Sequence, residues 1–142
     1  MAITIESRYS RVIHPFHAVL FAGTVVLFLS AALSDAKYAS TYEIQWINFA
    51  SWLIVGGLVL GGIALLFAII DLSRPARRAS GILVYATVLL GAWVVGLFDA
   101  LMHARDAWGS MPGGLVLSVV ATLLACVATW FGFATPRLRS PR

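Results

Sequence analysis

The chain has a single cysteine, Cys126, and few charges: ten Lys or Arg and six Asp or Glu in 142 residues. One cysteine excludes a disulfide-stapled secreted scaffold. Charged residues make up 11% of the sequence, against about a quarter in globular domains, which excludes a disordered tail and a soluble nucleotide-binding enzyme. There is no alternating ten-residue pattern of the kind an outer-membrane barrel needs, and no internal repeat that would mark inverted transporter halves. What is abundant is apolar: 61% of residues are hydrophobic and the mean hydropathy is +0.92. The basic excess is therefore read as membrane topology and not as a nucleic-acid footprint.

A transmembrane helix needs about 20 mostly apolar residues. Four windows qualify, at about 15–34, 46–70, 80–103 and 115–134, and they leave no segment for a separate soluble domain. Polar or Gly/Pro punctuation separates them: Ser34, Asp35, Lys37, Ser40 and Glu43 after the first, Ser73-Arg74-Pro75 after the second, Trp108 to Gly114 after the third, and Thr135-Pro136 after the fourth. A cleaved leader, with Arg8 and Arg11 ahead of the first apolar run and Ser30-Ala31-Ala32 as its cleavage site, is the minor alternative for the first window. The expectation is an all-α, integral membrane four-helix bundle of up-down-up-down topology, with residues 1–142 as one domain.

With four spans, Arg8, Arg11, Arg74, Arg77, Arg78, Arg137, Arg139 and Arg142 share one side, and Lys37 and Arg105 lie on the other. That asymmetry places both termini in the cytoplasm of a bacterial inner membrane.

The candidate site residues fall into three groups. His14 and His17 flank Pro15-Phe16 at the start of the first helix, where two imidazoles one turn apart suit a metal ion, a helix cap or a lipid phosphate. Asp71, on the same side, would complete a metal-binding set with them or form a helix-end salt bridge. On the opposite side, Asp99 and His103 are spaced i, i+4 and share a face, with Asp35, Glu43 and Asp106 nearby. This group suits proton relay or cation binding, and a solvated salt-bridge rim with Lys37 and Arg105 is the favoured alternative. Gly57 and Gly61 form a small-xxx-small pair for close helix packing, inside the bundle or against another subunit. His14 and His17 sit on one helix and His103 at the far side, so a bis-histidine haem b would need a second chain.

The His14-Pro15-Phe16-His17 opening, the Asp35 to Tyr38 segment, Ile70-Asp71 followed by Arg74-Pro75, and Trp130-Phe131-Gly132 resemble a family of bacterial four-helix membrane proteins. That family is catalogued only as a domain of unknown function, and its members commonly open with His-Pro-x-His-Pro. The resemblance implies a redox context, since such proteins occur beside or fused to Rieske-type domains and quinoprotein sugar dehydrogenases. Here Ala18 stands in place of the second proline, and Tyr85 lies near the position of a histidine early in the third helix. Losing that histidine removes a partner for His17 in any haem or metal role.

The leading expectation is a redox-associated accessory, anchor or electron-transfer subunit without catalytic activity of its own. It would contact the lipid bilayer, a protein partner or a second copy of itself, and a quinone or periplasmic redox protein. The alternatives are a structural or assembly subunit docking through the second helix, and, more weakly, a small transporter or proton channel using Asp71 and the Asp99/His103 pair.

Overall fold

The computed structural model describes residues 9–10, 15–73, 81–134 and 137–138. Four helices in it are long and apolar enough to cross a membrane: α1 (Pro15–Thr41), α2 (Ile44–Ser73), α3 (Ile82–His103) and α5 (Gly113–Ala134), with the short α4 (Ala107–Ser110) between the last two. The protein is an all-α, multi-pass membrane bundle. Successive long helices run antiparallel, and α1 and α3 each pack against both α2 and α5. The start of α1 and the end of α5 therefore lie at one end of the bundle, where Tyr9–Ser10 pairs with Arg137–Leu138. The opposite, distal end carries the α1–α2 connection and α4.

Two helices run further than hydropathy alone predicts. The polar residues after Ser34 read as a loop, yet α1 continues to Thr41. No Gly or Pro lies between Ser34 and Thr41, and the hydroxyls bond to their own helix: Ser34 donates to Ser30 O (2.8 Å) and Thr41 to Lys37 O (2.9 Å). The reversal into α2 is made at Tyr42, whose φ of 56° is left-handed and whose ring stacks on Trp108 at 5.5 Å. A β-branched residue tolerates that region poorly. Tyr42→Val is thus expected to cost about 1–2 kcal/mol more than Tyr42→Asn, read as the difference in thermal midpoints of the two variants in detergent.

The buried positions repeat at spacings of three and four, the seam of helices that coil around one another. On α1 they are Phe21, Thr24, Phe28, Ala31, Asp35 and Tyr38; on α3, Ile82, Tyr85, Leu89, Ala92, Gly96, Asp99 and His103. The matching stripe on α2 runs through Ala50, Ile54, Gly57, Gly61 and Ala64, and that on α5 through Gly114, Ser118, Ala121, Ala125, Ala128 and Gly132. Most are small, so backbones approach closely and a few large rings fill the remaining space. Phe28 is the main one: a Cβ at Gly57 or at Gly96 would lie 2.8 Å from its ring. Gly61 faces Thr24, so both glycines of the small-xxx-small pair look into the bundle.

Candidate functional site at the distal end

Below the distal loops the seam turns polar. Asp35, Asp99, His103 and Ser118 occupy core positions on α1, α3 and α5, with Asp35, Asp99 and Ser118 at 0% exposure and His103 at 8%. The solvated rim expected for Asp99 and His103 does not form, and neither Lys37 nor Arg105 pairs with them. The reason is the extension of α1: once Asp35 is helical it falls seven residues after Phe28, on the stripe that faces α3 and α5. Ser118 lies four residues after Gly114 on α5, and Gly114 lets the His103 ring rest on the α5 backbone, since a Cβ there would lie 2.8 Å from Cε1.

The contacts close a ring. His103 Nε2 is 2.8 Å from Asp35 Oδ1, and Nδ1 is 2.9 Å from the Asp99 carbonyl oxygen. Ser118 Oγ lies 2.6 Å from Asp35 Oδ2 and 2.7 Å from Asp99 Oδ2. A carbonyl only accepts, so Nδ1 carries a hydrogen and donates it. That leaves Nε2 2.8 Å from a carboxyl oxygen, a contact that needs a hydrogen, or another cation, between the two atoms. Ser118 has one hydroxyl hydrogen for two carboxyl oxygens, so that bridge needs a second one. Asp99 Oδ1 is 3.1 Å from Nδ1 but off its N–H axis, and it has no hydrogen-bond donor.

Among the described residues, Asp35, Asp99 and His103 form the one group of three His, Cys, Asp or Glu side chains with ligand atoms all within 4.8 Å of one another. A cavity of about 190 Å³, lined by Ile44, Ile47, Asn48, Ser51, Arg105 and Ala107, reaches His103 from the distal side. A second, of about 310 Å³, lies beside it between Tyr38, Tyr42, Trp108, Met111, Pro112 and Leu115. Toward the termini the seam is closed by Phe28, Ala31, Ile54, Ala92, Ala121 and Ala125. Among the described residues, the cavities that reach or flank the cluster thus lie on its distal side.

The other candidates lie elsewhere. His14 is outside the described residues. His17, on the first turn of α1, packs its ring 5.0 Å from Phe67 and 6.2 Å from Phe21, and Asp71 is in the last turn of α2. Both are at the end that carries the chain termini, and His103 is at the other. Tyr85 is buried against Phe21, with ring centroids 5.6 Å apart. Glu43 accepts from Trp46 Nε1 (3.0 Å), and Asp106 caps α4 by accepting from Gly109 N (2.6 Å). Cys126 is exposed on the outside of α5.

Residues 13–135 match the family described as "Predicted membrane protein (DUF2231)". The chain belongs to this family. The match takes in all four long helices and every residue of the distal cluster. No curated protein and no solved structure matches the chain.

Proposed function

We propose that the chain is a redox-associated accessory subunit of a bacterial inner membrane, with its termini in the cytoplasm and its working site at the distal, periplasmic end. The observation that carries this reading is the Asp35–His103–Asp99–Ser118 ring. Ionisable groups inside a membrane span are costly and are retained where they act, and among the described residues the Asp and His side chains that are buried are the three of this ring. The distribution of arginines supports the orientation. The neighbouring cavity has aromatic walls in Tyr38, Tyr42 and Trp108, a lining suited to a flat quinone ring. Closure of the seam below the cluster argues against a conducting path across the membrane. The inward-facing Gly57 and Gly61 argue against α2 docking to a partner through them.

Purification from native membranes in mild detergent tests the proposal. A protein bearing a redox cofactor is expected to co-elute, and Asp99→Asn, at equal abundance and with the partner still bound, is expected to slow that partner's quinone-linked turnover. Elution with no redox protein, or turnover indifferent to Asp99→Asn, would overturn it.

A further inference from the structure

We propose that Asp35, Asp99 and His103 together bind one divalent first-row transition-metal ion. The inference rests on the reading above only in taking this cluster as the working site.

Charge is the first argument. Two fully buried carboxylates meet no Lys or Arg in the cluster, and the His103 imidazole, 2.8 Å from Asp35 Oδ1 and 3.1 Å from Asp99 Oδ1, can supply at most one of the two positive charges they need in a low-dielectric seam. A divalent ion supplies both. The imidazole is the second argument. Its Nδ1 hydrogen is held by the Asp99 carbonyl, the backing that orients metal-ligating histidines, and this frees the Nε2 lone pair for an ion. Nε2 points at a carboxyl oxygen 2.8 Å away, and two acceptors at that distance suit ligands sharing one cation.

Asp99 Oδ1 is buried and lies 3.1 Å from His103 Nδ1, but accepts no hydrogen bond. A proton shared between Ser118 and the carboxyl groups would balance the Oδ2 atoms and leave this oxygen unmatched. A cation on the Asp99 carboxylate compensates both of its oxygens. One imidazole nitrogen with carboxylate oxygens selects Zn²⁺, Mn²⁺ or Fe²⁺ over Mg²⁺ and Ca²⁺, which prefer all-oxygen sites. The cavity of about 190 Å³ ending on His103 gives the ion a route from the distal side.

The test uses the full chain, purified through a tag without histidine and stripped with a chelator. Zn²⁺ is then titrated by calorimetry, and Co²⁺ is added separately for its visible ligand-field bands. One equivalent of Zn²⁺ per chain, no competition from Mg²⁺, and a rise in thermal midpoint with Zn²⁺ are the expected results. Asp35→Asn and Asp99→Asn should each weaken binding by about tenfold or more, whereas Asp106→Asn and His17→Ala should not. Should the cluster variants fail to fold, the wild-type stoichiometry, Co²⁺ spectrum and thermal shift decide alone. Substoichiometric Zn²⁺ with no thermal shift, or binding lost in His17→Ala and kept in Asp99→Asn, would overturn the site. Stoichiometric metal in a chain with no redox partner would leave the site standing and remove the redox reading; a partner dependent on Asp99 with no metal would do the reverse.

Discussion

His103→Leu is expected to destabilise the bundle by about 3–5 kcal/mol, and replacing His103, Asp35 and Asp99 together by leucine, asparagine and asparagine is expected to recover most of that loss. The single change removes the imidazole bonded to Asp35 and leaves two carboxyl groups in an apolar seam, joined only through Ser118 Oγ. Both carboxyl groups are fully buried, so most of the cost of an uncompensated buried charge is felt. The triple variant removes the charges with the partner. Its asparagines still bond to Ser118, and the gap at position 103 is apolar. Thermal midpoints in one detergent measure the comparison. A single variant as stable as the parent would mean that the cluster is wet, and a triple variant less stable than the single would mean that the ring contributes net stability.

The second large effect is at Phe28. Its ring lies between α2 and α3 because Gly57 and Gly96 leave it room, and a Cβ at either glycine would meet it at 2.8 Å. Gly96→Ala is expected to cost about 1–3 kcal/mol, since the methyl forces either the ring off its rotamer or the helices apart. Phe28→Leu alone leaves a cavity and is costly on its own account. Combined with Gly96→Ala it should cost less than the two changes summed, because the smaller side chain gives back the space the methyl needs. Coupling of about 0.5–3 kcal/mol in the double-mutant cycle is the expected sign of contact. Additive effects would show that Phe28 and Gly96 do not meet.

Four apolar runs and their punctuation make the helical bundle readable from composition, because the bilayer demands both helix length and satisfied backbone. The site is less readable, for reasons that differ by residue. Asp99 and His103 are four apart, so their approach requires only a continuous helix. Asp35 looks like the polar end of a hydrophobic run. Hydropathy ends the span there, but helices end at Gly, Pro or a cap, and none occurs before Tyr42. Extending the three-four spacing from Phe21 and Phe28 would have put Asp35 on the seam. Ser118 carries no signal of its own, since a serine in an apolar helix commonly bonds its own backbone. Only its place on the Gly114–Ala121–Ala125 stripe sets it inside. His14, His17 and Asp71 are close in sequence or share a side, whereas the residues that converge in the distal cluster come from three helices and are separated by up to 83 positions.

His103 sits in a buried ring with its Nδ1 hydrogen on the Asp99 carbonyl and its Nε2 turned to Asp35. Nitrogen-15 spectroscopy of the histidine rings in bilayers measures this directly. One tautomer is expected for His103, hydrogen-bearing at Nδ1, with an Nε2 resonance that moves in Asp35→Asn and not in Asp71→Asn. A mixture of tautomers exchanging with water, indifferent to Asp35→Asn, would contradict the account.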